Sequence, residues 1–185
     1  MSSSVDIANS ALSKLGAERI TSLADNSPAA RAMNFRFEPL KTQELRKHLW
    51  NFAIKRVQLA ADTATPAFGY AYQFTLPTDF LRFHPDNETQ DYNLENGKLL
   101  SDSEGPFNMR YVANVTDTNL FDPLFDDALA SRMAYDACEE VTQSNTKKEA
   151  AEVMYKDAIR EAKMVDAIED ESEEAPEDEW ITARI

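Results

Sequence analysis

The run from Ser27 to Ala60, SPAARAMNFRFEPLKTQELRKHLWNFAIKRVQLA, limits the possible folds more than any other part of the chain. Ser27 followed by Pro28 is a helix start: the serine oxygen can accept from a free backbone N–H, and proline suits the first turn. Met33, Phe37 and Leu40 recur at helical spacing, as do Leu45, Leu49, Phe52 and Ala53, with the two series one residue out of step. Pro39 lies near the slip, and an internal proline removes a hydrogen bond and bends a helix. The expectation is one long, bent helix from Pro28 to about Leu59, ending in an aromatic face around Trp50 and Phe52. Seven basic residues, Arg31, Arg36, Lys41, Arg46, Lys47, Lys55 and Arg56, accompany only two acids, Glu38 and Glu44, between Arg31 and Arg56. This positive girder lies within a chain of formal net charge -14.

On either side the chain divides by periodicity. Ser3–Leu15 carries Val5, Ala8, Ala11, Leu12 and Leu15 on one helical face, and Gly16 ends it as a C-cap. Residues 17–26 connect it to the girder. Beyond Ala60, Tyr70, Tyr72, Phe74 and Leu76 alternate with Ala71, Gln73 and Thr75, the period of a half-buried strand. Phe80–Phe83 reads as a further extended piece, and Asn96-Gly97 marks a hairpin with a type I′ turn. Met109, Tyr111, Val112 and Val115 make another strand. Asp122-Pro123 repeats the cap-and-proline start of a helix running to about Gln143. The short Ser144–Thr146 turn then implies an antiparallel partner helix carrying Ala151, Met154, Tyr155, Ala158, Ala162 and Val165.

These elements predict a mainly α fold with a β insertion. It is an antiparallel four-helix bundle, α-α-β-α-α, carrying a small antiparallel β-rich subdomain and an extended C-terminal tail. One domain, 1–168, comprises the helical core 3–60 and 122–168 with the insertion 62–118. Residues 169–185 form a separate tail. From Glu169 to Glu179 eight of eleven residues are acidic, too polar a run to fold alone. It leads to Trp180-Ile181-Thr182-Ala183-Arg184-Ile185, an apolar plug on a charged tether.

At 185 residues with 43% hydrophobic content, the chain can bury a core of its own. One cysteine, Cys138, excludes an internal disulfide framework. Residues 1–16 lack the basic start and apolar run of a signal peptide, and no stretch nears the roughly 18 apolar residues of a membrane span. The expectation is a protein that acts where it is made. Its negative charge opposes nonspecific nucleic-acid binding, which rests on Lys and Arg, yet would let DNA slide past without sticking.

Chemistry-bearing patterns are sparse. The four glycines form neither a P-loop nor a dinucleotide fingerprint. His48 and His84 lie far apart and, with one cysteine, make no zinc spacing. A Cys138/His48 pair would lie on two apolar helix faces. Asp79, Asp86, Glu88 and Asp91 cluster, and glycoside hydrolysis needs two carboxyls about 5–10 Å apart. With 33 acidic residues, such pairs arise by chance. Neither a catalytic centre, nor a cofactor, nor a metal is expected.

Several blocks nevertheless resemble one family, the bacteriophage head-to-tail adaptors, also called tail tubular protein A. They are His48-Leu49-Trp50-Asn51-Phe52-Ala53, then Tyr70–Arg82 with its Leu-Pro-x-Asp segment, then Asp122-Pro123-Leu124-Phe125, the Tyr155 helix, and the Trp-x-x-Ala-Arg ending from Trp180 to Arg184. Family members often have Pro where this chain has Leu49. The resemblance implies a non-enzymatic virion protein of the neck or tail, made in the host cytoplasm. It would form a homo-oligomeric ring, commonly a dodecamer, between the portal protein and the tail nozzle or tube, with viral DNA passing through unbound. It implies portal docking by Trp180, Ile181, Arg184 and Ile185. The insertion would face the tail through Asp86, Glu88, Asp91, Asn96 and Gly97. Arg31, Arg36, Lys41, Arg46 and Lys47 would meet an acidic neighbour across a contact that closes by rotation. An isolated subunit is expected to stay monomeric until its tail finds the portal. Two other readings fit the composition: an acidic inhibitor or DNA mimic, and a tail-associated glycan hydrolase using the Asp79–Asp91 carboxylates.

Overall fold

Local capping chemistry sets the helix boundaries. In the computed structural model, which describes residues 2–84 and 91–169, helix α1 spans Ser4–Leu15. The Ser3 side chain accepts from the Asp6 N–H while Asp6 accepts from the Ser3 N–H, a reciprocal cap. Gly16, at φ 69°, closes the other end in the left-handed region. Helix α2 (Pro28–Lys47) starts on the Ser27 side chain and continues through Pro39. Pro39 and Phe35, whose carbonyl the proline cannot bond, both lie on the exposed face, where water can satisfy that oxygen. Helix α3 (Pro123–Thr142) starts on Asp122, whose Oδ1 accepts from the N–H groups of Leu124 and Phe125. A brief turn leads into α4 (Asn145–Glu169). The Lys148–Glu139 ion pair and the stacking of Arg132 over Tyr155 fix α3 and α4 as antiparallel neighbours.

Six strands complete the described fold: β1 (Ile54–Leu59), β2 (Tyr72–Thr75), β3 (Phe80–Phe83), β4 (Tyr92–Glu95), β5 (Lys98–Ser101) and β6 (Phe107–Ala113). They form two antiparallel three-stranded sheets, ordered β1-β6-β3 and β2-β5-β4. The β4–β5 hairpin turns on Asn96 and Gly97, at φ 47° and 71°, as a type I′ turn requires.

Two expectations need correction. The fold is mixed α/β, 51% helical and 19% strand among the described residues, rather than a four-helix bundle with a small β subdomain. The long helix to Leu59 is also wrong. Helix α2 ends at Lys47, His48 turns extended (φ -133°, ψ 163°), and the chain passes through a 3-10 turn, Asn51–Ala53, into β1. The apolar series that looked helical does identify core residues: Leu45 and Ala53 are buried, and Leu49 and Phe52 pack against the same cluster. Burial was right and backbone was wrong. Strand pairing decides the matter, because β1 lies in continuous register with β6, from Ile54↔Val112 to Leu59↔Phe107. β-Branched Ile54 and Val57 favour that conformation.

The structure therefore holds two cores. The first surrounds α3, which buries Phe125, Ala128, Leu129, Ala130, Met133, Ala134, Ala137 and Cys138 against the other helices. The second fills the space between the sheets with Leu59, Phe74, Phe83, Leu99, Phe107, Met109 and Tyr111. β6 joins them: Phe107, Met109 and Tyr111 face the second sheet, whereas Val112 points into the helical core.

Candidate functional site: a polar clamp and the surfaces around it

Where α2 gives way to β1, the chain is fastened to the far end of α4. Asp166, 7% exposed, accepts from the Asn51 N–H through Oδ1 (3.0 Å) and lies 3.0 Å from His48 Nε2 through Oδ2. The Asn51 side chain returns a bond to the Asp166 carbonyl, also 3.0 Å. Trp50 is driven inward by the turn. Its Nε1 donates to the Glu44 carbonyl (3.0 Å), satisfying one acceptor of the α2 terminus, and its ring packs on Phe125 at 5.0 Å. Phe52 meets Phe121 and Phe125 at 5.6 and 5.1 Å. Leu81, preceding the end of β3, packs on the same core.

Six residues before Trp50, in the last turn of α2, the Glu44 side chain is 1% exposed. Its Oε1 accepts from Lys47 Nζ (2.6 Å) and from the Tyr155 hydroxyl (3.0 Å), with Arg132 Nε at 3.7 Å. Burial, with the adjoining Glu44 carboxylate, pushes the Tyr155 phenol up. Burial alone would lower Lys47, but its hydrogen bond and charge pairing with Glu44 outweigh this and hold it above its ordinary value. The arrangement is a neutral phenol and a carboxylate held between cations. It can carry α4 against α2 and α3.

The basic girder divides on this framework. Arg36 bridges Asp136 (2.9 Å) and Glu140 (2.7 Å) of α3 in the same chain. Lys41 is fully buried; its Nζ lies 2.7 Å from Glu38 Oε2, an ion pair whose angle falls outside hydrogen-bond geometry. Lys47 serves Glu44, and Arg46 donates to the Leu81 carbonyl. Arg31 is exposed and donates to Asn26 (2.8 Å). All five residues expected at a neighbour's surface thus have a partner within the chain, Arg31 through the exposed contact to Asn26 alone. The Arg36 partners could not be read locally, since Asp136 and Glu140 lie about a hundred positions away, whereas Glu38–Lys41 and Glu44–Lys47 are three-residue spacings on one helix.

Among the tail-facing residues, Asn96 and Gly97 stand at the exposed hairpin tip, and Asp91 is exposed just before β4, its carbonyl accepting from Ser101 Oγ (2.9 Å). Asp86 and Glu88 lie outside the described residues, as do Trp180, Ile181, Arg184 and Ile185. Asp79 bonds Lys55 Nζ (2.7 Å) and the Tyr111 hydroxyl (2.9 Å), tying β1 and β6 to the turn before β3. Cys138 is buried against Thr142 at the α3–α4 turn, at the opposite end of α4 from His48. Among the described residues, no group of three His, Cys, Asp or Glu side chains is placed to hold a metal ion, and no helix is long and apolar enough to cross a membrane.

Asp166 and Glu44 were not anticipated as site residues. The available signal was small: an acid set among Val165, Ala167 and Ile168, and a lone acid on the apolar side of α2.

No family model and no curated protein matches this chain.

Proposed function

We propose that this chain is a structural subunit of a phage head-to-tail adaptor. It would form a ring that joins the portal protein to the tail nozzle or tube and surrounds the DNA path. The observation that supports this reading most is convergence. Blocks that resemble the family in sequence, separated by up to a hundred residues, meet in space. Trp50 and Phe52 of the first block stack on Phe125 of the third, Leu81 of the second packs on the same core, and Tyr155 of the fourth bonds Glu44. The resemblance thus falls on residues that hold one another in place.

In this proposal Trp180, Ile181, Arg184 and Ile185 dock on the portal, and the Asn96-Gly97 hairpin with Asp91 points to the tail. A neighbouring subunit contacts the exposed Arg31. The net charge of -14 lets DNA pass without adhesion.

The test is negative-stain microscopy of portal rings mixed with the full chain or with a chain ending at Glu169. A second ring from the full chain alone is the expected result. A ring from both would retain the adaptor and remove the tail as anchor. A ring from neither would refute the reading.

A further inference from the structure

Helix α4 is the most weakly covered of the four helices: of its 25 residues, only Ala151, Ala162 and Asp166 are buried. Large apolar side chains stand in solvent along it: Val153 (59% exposed), Met154 (43%), Met164 (59%) and Ile168 (73%). At about 100° per residue, Val153, Met164 and Ile168 fall within roughly 60° of one another, with Met154 alongside. The band is apolar at both ends and charged midway, where Asp157 and Arg160 pair at 2.9 Å beside the exposed Glu161. An uncovered band of this kind marks a surface with an occupant.

The sequence beyond the helix supplies one of matching chemistry. Ile168 adjoins the last residue of α4, and the chain continues through an acidic stretch to Trp180, Ile181, Arg184 and Ile185. From Glu169 to Trp180 the backbone can reach up to about 36 Å. Val153 and Ile168 are only about 22 Å apart along the helix. Trp180 can therefore reach any point of the band, and Trp180–Ile185, extending up to about 18 Å, can lie along most of it. Its order, apolar Trp180-Ile181, cationic Arg184, apolar Ile185, mirrors the band's apolar ends and its acids Asp157 and Glu161. A short tether gives an effective concentration in the mM range, so a contact with a Kd of about 1 mM between separate molecules would be roughly half-occupied within one chain. Methionine suits such a reversible seat, because its flexible thioether adapts to an aromatic ring.

We propose that the Val153–Ile168 face of α4 is the seat of the chain's own terminal segment, Trp180–Ile185, in the unassembled subunit. The contact shields the plug until a tighter partner competes for it. It holds whatever that partner is, and so does not rest on the adaptor reading.

The chain has two tryptophans, Trp50 and Trp180, so fluorotryptophan labelling gives two fluorine NMR resonances without any substitution. A chain ending at Glu169 assigns Trp50, and a labelled peptide of residues 174–185 marks the position of an unbound Trp180. The proposal expects Trp180 of the full chain to be shifted from the peptide position independently of protein concentration. V153D/M164D, or I168D alone, should return it there with Trp50 unmoved, which shows the fold intact. A full-chain Trp180 at the peptide position overturns the proposal. So does a shift that survives these substitutions, or one that vanishes on dilution, which would assign the seat to a second copy's tail.

Discussion

The two cores of this chain are held by different physics. Around α3 the helices approach closely over alanines, with Ala8, Ala11, Ala30, Ala128, Ala130, Ala134 and Ala137 all buried, and each helix begins on a local cap. Between the sheets the filling is aromatic: Phe74 on Phe107 at 5.7 Å, Phe83 on Tyr92 at 4.2 Å, Tyr92 on Phe107 at 6.2 Å. The helical core depends on small residues that admit neighbouring backbones, and apart from Phe37 on α2 its aromatic residues gather at the junction, at Trp50, Phe52, Phe121 and Phe125. The sheet core depends on large side chains brought together by pairings distant in sequence. Each half is therefore vulnerable at a different kind of residue.

The largest effect is expected at the junction. Phe125→Ala removes a fully buried ring that touches Trp50, Phe52 and Phe121, and should cost about 3–5 kcal/mol, read as a lowered denaturation midpoint of both halves together. Leu99→Ala opens a comparable hole between the sheets and should cost about 2–5 kcal/mol. If the cores differ as described, its loss shows first in β2, β4 and β5. Simultaneous loss in α1 and α3 would break the distinction.

Glu44→Gln tests whether polar groups join α4 to the helical core. It should cost about 1–3 kcal/mol, since Lys47 and Arg132 lose their shared carboxylate in a buried site. The Tyr155 phenol should titrate lower once that charge is gone, which absorbance can follow.

The smallest effect concerns the sheet side and depends on pH. Burial alone would raise Asp79, but Lys55 and the Tyr111 hydroxyl outweigh it and hold its carboxyl below 3.8. Burial, reinforced by Asp79, pushes Tyr111 up to about 12 from 10.0. A depressed acid contributes stability that is full above 3.8 and is lost as pH falls through its lowered folded value. A raised phenol contributes stability that is full below 10.0 and is lost as pH rises toward about 12. Asp79→Asn should remove the acid-side loss and move the Tyr111 titration back toward 10.0, as tyrosinate absorbance would report.

What was legible in the sequence follows the same division. Ser3, Gly16, Ser27-Pro28 and Asp122-Pro123 announced their helix ends because capping is decided within a few residues. Asn96-Gly97 announced its hairpin for the same reason. The passage from α2 into β1 was not legible. Its cause is the pairing of Ile54–Leu59 with Phe107–Val112, about fifty positions away, and a turn pinned by Asp166 from the other end of the chain. Lys41 and Arg36 read as surface charges for a like reason. Nothing near them in sequence shows that one is buried and the other spans to Asp136 and Glu140.

At the junction, the 48–53 turn, held by Asp166 and packed around Trp50, ties the helical core to the sheets. Hydrogen exchange on the full chain and on Asp166→Ala tests this most directly. Protection should fall at residues 49–53 and in the last turns of α4, with the amides of β2, β4 and β5 unchanged. Unchanged exchange at 49–53, or a uniform loss across the whole chain, would contradict it.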